Sequence, residues 1–184
     1  MNNFKKGLAI VFVFSLLTVG AVGGTIAWLT SQATPVVNTF TTSDITVELK
    51  ETTGTSYKMV PGCDIDKDPK ATVKAGSVEC WLFVELDKSA NFDTYLTYTI
   101  ANGWALVAGE TNVYARKVEA SNIGTSYSVL KDNKVTVLTT VTKEMMNSLT
   151  ANTLPTLTVT AYASQLNKTA DEEFTAAEAW ENID

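Results

Sequence analysis

The chain has 184 residues, 45% of them hydrophobic and 18% charged, with a formal net charge of −6 at pH 7. This balance fits one globular domain plus an export segment and excludes a disordered chain. It also argues against nucleic acid as a partner, because phosphate binding needs basic side chains that displace counterions.

The first residues read as a secretory signal. Lys5 and Lys6 form a charged start, an apolar run follows from Leu8 to Val22, and the small residues Gly23, Gly24, Thr25 and Ala27 close it. Cleavage is expected between Ala27 and Trp28, after the small-x-small set Thr25-Ile26-Ala27. Loss of Lys5 and Lys6 then leaves the mature chain still more acidic. The rival is a retained membrane helix, because Gly7 to Leu29 is uncharged and long enough to span a bilayer. No Lys or Arg closely follows Leu29, so membrane contact is expected only through the uncleaved signal helix. The layout is therefore a signal peptide over 1–27, an N-terminal arm over 28–37, and one β-domain over 38–184.

Beyond the arm, apolar residues recur at every second position, the period of a half-buried strand. Ile45, Val47 and Leu49 alternate with Thr46, Glu48 and Lys50. Further strands are expected over 70–74, 95–100, 104–108, 113–118 and 126–130. Cys80-Trp81-Leu82-Phe83-Val84 is apolar on both faces and predicts a central strand covered on both sides. Val135, Val137 and Val141 alternate with Thr136, Leu138 and Thr140, and Leu157, Val159, Ala161 and Ala163 alternate with Thr158, Thr160, Tyr162 and Ser164. Turn signals separate the runs, among them Pro61-Gly62, Asn102-Gly103 and Asp132-Asn133. Helices are expected only over 143–149 and 175–183, the second opened by a capping box of Thr175 and Glu178. Phe174, Ala177 and Trp180 would face the sheets. The fold class is all-β, an antiparallel β-sandwich of jelly-roll type with a short C-terminal helix.

Two cysteines occur, Cys63 and Cys80, and in an exported protein such a pair more often crosslinks than catalyses. A Cys63–Cys80 disulfide is expected, worth about 3 kcal/mol if unstrained. Two free thiols or a redox pair are the alternatives, and no Cys-x-x-Cys spacing supports the last.

Chemistry is hard to find. The chain has no histidine, which removes the commonest acid-base group and rules out the His-Glu-x-x-His zinc motif. Neither a Gly-x-Ser-x-Gly elbow nor a phosphate-binding glycine motif occurs, so neither enzyme activity nor a cofactor is expected. Asp64, Asp66 and Asp68 are a weak calcium candidate, but Pro69 stands where a calcium loop needs glycine and Lys67 is a built-in competing cation. A solvated turn is the favoured reading of that stretch. Leu154-Pro155-Thr156-Leu157-Thr158 lacks the glycine and basic tail of a wall-sorting signal, and Asn167-Lys168-Thr169 is too short a match to carry a function.

Three groups of residues resemble the TasA and camelysin-like family of secreted Gram-positive proteins. The first is Gly23-Gly24-Thr25-Ile26-Ala27-Trp28-Leu29-Thr30, followed by Asn38-Thr39-Phe40-Thr41 and Ile45-Thr46-Val47-Glu48-Leu49. The second runs from Met59-Val60-Pro61-Gly62 through Lys67-Asp68-Pro69-Lys70-Ala71-Thr72-Val73 to Cys80-Trp81-Leu82-Phe83-Val84. The third is Pro155-Thr156-Leu157-Thr158-Val159-Thr160-Ala161-Tyr162-Ala163 with Thr175-Ala176-Ala177-Glu178-Ala179-Trp180.

The resemblance implies a jelly-roll domain exported with a dedicated signal peptidase to the cell surface or extracellular matrix. Some relatives polymerise there into biofilm fibres by donor-strand complementation. It thereby implies self-association as the principal partnership, with other matrix proteins as further candidates. Trp28, Leu29, Val36 and Val37 are the candidate anchors of a donor strand, against the alternative of a disordered or self-docked arm. Camelysin-like relatives have been labelled metallopeptidases, a label this histidine-free sequence does not support. The competing function is a monomeric surface adhesin or carbohydrate-binding module using Trp104, Tyr95 and Tyr114, although core positions are the better reading of each.

Overall fold

The computed structural model describes residues 44–183. Their strands are β1 (Val47–Lys50), β2 (Asp64–Asp66), β3 (Lys70–Val73), β4 (Cys80–Lys88), β5 (Leu96–Thr97), β6 (Ala105–Leu106), β7 (Val113–Val118), β8 (Ser126–Ser128), β9 (Lys134–Val137), β10 (Leu157–Gln165), β11 (Asn167–Thr169) and β12 (Glu172–Glu173). The helices are α1 (Phe92–Tyr95), α2 (Lys143–Asn147) and α3 (Ala176–Glu181). The domain is all-β with antiparallel sheets and a short C-terminal helix. One sheet has the order β10-β4-β7-β6, two others are β1-β3-β8 and β2-β9-β5, and β11-β12 forms a hairpin.

β4 is central, as its two apolar faces predict. It pairs with β10 over nine consecutive residues and with β7 on its other side. Cys80, Leu82, Val84 and Leu86 enter one buried cluster with Ala71 and Val73 of β3 and Val135 and Val137 of β9. Phe83 points the other way into a second cluster with Val113, Ala115 and Ala179. Burying a Leu or Phe side chain fully stabilises by about 1.5–3 kcal/mol each, so this strand holds both sides of the domain.

The second cluster explains α3. Thr175 Oγ1 accepts from Glu178 N at 3.3 Å, and Glu178 Oε2 accepts from Thr175 N at 2.9 Å, the capping box expected from sequence. The Trp180 ring packs 5.3 Å from both Phe83 and Tyr162, and Trp81 Nε1 donates to Phe174 O at 2.8 Å.

Backbone bonds extend the β2-β9 and β3-β8 ladders past their strand ends. Lys67 N donates to Asn133 O at 2.8 Å and Val129 N to Pro69 O at 3.0 Å. Asp132 and Asn133 turn the chain between β8 and β9 with φ of 55° and 54°, a conformation that Asp and Asn side chains tolerate better than most. Pro61-Gly62 forms the expected turn, with Cys63 N donating to Val60 O at 3.0 Å and Gly62 at φ 76°.

Several expected elements differ. The stretch read as a solvated turn contains β2, in which Ile65 packs against the core while Asp64 and Asp66 stay exposed opposite Thr136 and Lys134. Three residues are too few for alternation to be visible. The expected strand over 95–100 is broken: Tyr95 ends α1, β5 covers only Leu96–Thr97, and Ile100 makes an isolated bridge to Leu130. Burial of Phe92, 1% exposed, and a Lys88–Asp93 ion pair at 2.6 Å hold α1. The strand over 104–108 shrinks to β6 because Trp104 is buried with its Nε1 donating to Ser128 O at 2.9 Å.

Arg116 closes the turn before β6. Its guanidinium donates to Gly103 O and Asn102 O and lies over Tyr127 at 4.3 Å and Trp104 at 5.3 Å. Gly103 has φ 88°, and a Cβ there would fall on that guanidinium. Gly103→Ala is therefore expected to cost about 2 kcal/mol or more in urea unfolding, from backbone strain plus displacement of Arg116. The cost should shrink in an Arg116→Ala background, and an unchanged cost would show that the steric conflict contributes nothing.

Candidate functional site

The longest sheet edge among the described residues belongs to β10. Its nine residues pair with β4 without a register shift, and no described strand pairs with its other edge. Edge strands usually carry Lys, Pro or a bulge that discourages pairing with another chain. β10, Leu-Thr-Val-Thr-Ala-Tyr-Ala-Ser-Gln, has none of these. β1 lies against it, and Asp44 and Ile45 form a shallow groove with Ala163, Ser164 and Gln165 at its C-terminal end.

A cavity of about 330 Å³ opens at the other end of β10. Met59, Ile65, Phe92, Leu96, Val135 and Leu157 give it apolar walls, with Tyr57 and Lys67 among its polar ones. The segment that follows β1 supplies Thr55, Ser56, Tyr57 and Met59 to the same wall. Asp68, 8% exposed, latches that segment: its carboxylate accepts from Thr52 N at 2.8 Å, Thr52 Oγ1 at 2.7 Å and Thr53 N at 3.0 Å. Lys67 Nζ bonds both carboxylate oxygens of Glu51, at 2.9 and 3.0 Å, and Tyr57 OH donates to Glu51 at 2.7 Å. The Thr52 hydroxyl, then the Thr52 and Thr53 amides, hold the Asp68 carboxyl far below the usual carboxylate range.

The three aspartates of the calcium candidate are not brought together, and among the described residues no group of three acidic, Cys or His side chains could hold a metal ion. Asp64 accepts from Thr136 Oγ1 at 2.7 Å and pairs with Lys134 at 3.1 Å, whereas Asp68 is committed to Thr52 and Thr53. Nothing in a run of alternating aspartates signals that one of them fixes a loop sixteen residues earlier.

The Cys63–Cys80 disulfide is not formed: both thiols are free. Cys80 is buried at the start of β4, opposite Val118 and Gln165, and burial pushes its thiol up to about 11. Cys63 is exposed beside Val137, which pairs with Leu96 just after α1, beyond the far end of β4. A nine-residue strand is about 26 Å long, whereas a disulfide needs Cα atoms within about 7 Å. Sequence proximity concealed that separation.

The cleavage position Ala27–Trp28 and the anchors Trp28, Leu29, Val36 and Val37 lie outside the described residues. Of the aromatics considered for a binding face, Trp104 and Tyr95 are core residues and Tyr114 is partly buried against the core. No protein-family model, curated protein or solved structure matches the chain.

Two measurements test this geometry. Thiol labelling should modify Cys63 rapidly in the native protein and Cys80 only on unfolding; a native mass lacking two hydrogens would instead reveal a disulfide. The acid dependence of stability should carry an Asp68 component. Because its carboxyl is depressed in the folded state, the stabilisation is present above the ordinary aspartate value of about 4 and is lost as pH falls below it. Asp68→Asn should lower the urea midpoint at neutral pH and flatten its decline in acid, and identical acid profiles for the two proteins would refute the latch.

Proposed function

We propose that this protein is a secreted, non-enzymatic structural subunit of the cell surface or extracellular matrix. It assembles head to tail into fibres when an added strand completes a sheet edge. The observation that carries the reading is the β10 edge, nine uncharged residues in unbroken register with one side unpartnered among the described residues. An edge of that length presents a row of backbone donors and acceptors to an incoming extended segment.

In this reading the sheet β10-β4-β7-β6 is one layer of a jelly-roll-like sandwich, and β1-β3-β8 with β2-β9-β5 makes the other. The shared cluster supports it, since Leu82, Val84 and Leu86 of β4 pack with Val73, Val135 and Val137 of the other sheets. The signal peptide is removed between Ala27 and Trp28, and the uncharged stretch Trp28-Leu29-Thr30-Ser31-Gln32-Ala33-Thr34-Pro35-Val36-Val37 becomes the donor. Resemblance to the TasA and camelysin-like proteins points the same way. Signal peptidase is the partner during export, and other matrix proteins are candidates for co-assembly. The competing surface-binding module loses its main support, because Trp104 and Tyr95 are buried rather than displayed.

The test compares the form starting at Trp28 with one starting at Asn38, by negative-stain microscopy and light scattering. Filaments from the longer form alone are the expected result. Filaments from both would remove the arm from the mechanism, and monomers from both would favour the monomeric binding module and a glycan screen.

A further inference from the structure

Asn102 is the one asparagine of the chain that precedes a glycine, and the turn it occupies is closed by the chain's one arginine. Asn102 and Gly103 are both exposed, and Gly103 has φ 88°. With no Cβ on Gly103, nothing on that residue shields its amide nitrogen from the neighbouring carboxamide. Among the described residues neither the Gly103 N–H nor the Asn102 carboxamide has a hydrogen-bond partner.

Arg116 is aimed at this peptide group. Its Nη2 donates to Asn102 O, and its Nε donates to Gly103 O at 3.0 Å. Asn102 O and Gly103 N share one conjugated peptide unit, so a cation on the oxygen makes the proton on the nitrogen easier to lose. The Tyr127 and Trp104 rings, 4.3 and 5.3 Å from the guanidinium carbon, hold the group in place. Lys67, Lys88, Lys117 and Lys134 each pair with a carboxylate, whereas among the described residues none pairs with Arg116.

We infer that Asn102 is the site of a spontaneous covalent modification, conversion to aspartate or isoaspartate in the folded protein, and that Arg116 promotes it. Gly103 N gives its proton to solvent hydroxide and attacks Asn102 Cγ. A C–N bond forms, the bond from Cγ to the side-chain nitrogen breaks, and ammonia leaves with a proton from water. Water then opens the resulting succinimide at either carbonyl. The sum is carboxamide plus water giving carboxylic acid plus ammonia, with no change of oxidation state. Negative charge that develops as Gly103 N attacks spreads onto Asn102 O, where the guanidinium meets it. The product also puts a carboxylate into a turn whose guanidinium has none. The reaction needs only one chain and water, so it proceeds whether or not the protein assembles into fibres.

Incubation of the intact protein in mildly alkaline buffer, followed by peptide mapping, reads the conversion as a gain of about one mass unit at position 102 and as isoaspartate in the same peptide. The folded chain should convert about tenfold faster than the same chain in urea, where Arg116 is no longer seated; the factor is modest for such a donor because the turn is exposed. An equal or slower rate in the folded chain would overturn the assignment. Arg116→Met keeps a flexible stem against Tyr127 and Trp104 and removes the charge. With folding confirmed by its urea unfolding curve, it should convert about tenfold more slowly than the unsubstituted protein. A rate unchanged or raised would remove Arg116 from the reaction and overturn its part in the inference. If that variant does not fold, the comparison of folded with urea-unfolded chain decides alone.

Discussion

β4 is apolar on both faces, and such a strand cannot leave either side in water. Leu82, Val84 and Leu86 demand one covering layer and Phe83 another, which places the strand inside the domain and requires neighbours on both edges. α3 follows from the same demand. Six residues are too few for a stable isolated helix, so α3 depends on Trp180 lying against Phe83 and Tyr162, with the capping box fixing where it starts. Truncating Leu82 would loosen one side and truncating Phe83 the other, each at a cost of about 2–5 kcal/mol for such core deletions.

With β4 central and β7 on one flank, β10 becomes an outer strand of its sheet. Its inner neighbour fixes its register over all nine residues, so it is rigid without being enclosed. The loop after β1 shapes what lies at one end of that edge. Asp68 gathers the Thr52 hydroxyl and the Thr52 and Thr53 amides, and Lys67 and Tyr57 both hold Glu51. A loop tied by so many bonds gives the cavity a fixed wall, and a preformed wall lowers the ordering cost of whatever enters it.

Much of this was readable from residue order because burial imposes period two on strands. β7, β10 and the two-faced Cys80–Val84 run announced themselves, as did α3 through Thr175 and Glu178. What escaped detection depends on tertiary contacts. β2 is three residues long and owes its existence to pairing with Val135, while β11 and β12 pair only with one another and consist of exposed residues. α1 ends on Tyr95, the first residue of the strand expected over 95–100, and is held by Phe92 in the core. The cysteines show the limit most clearly: seventeen residues apart in sequence, they are kept apart by the chain running through β2 and β3 before β4 begins. No spacing rule carries that information, nor the burial of Asp68 beside two threonines from another loop.

The acidic character of the domain bears on assembly as well as solubility. Net negative charge keeps subunits apart at long range, an effect screened beyond about 8 Å at physiological salt. A long uncharged edge is a hazard on such a protein unless something specific covers it, since backbone pairing alone does not choose a partner. In the proposed assembly the choice comes from the side chains of the added strand. Hydrogen bonds along the edge reward any extended chain, whereas apolar side chains that must be covered reward only a matching one. A one-residue slip would turn every side chain of an added strand to the opposite face, so in that assembly register is set by which side chains must be buried and affinity by the edge.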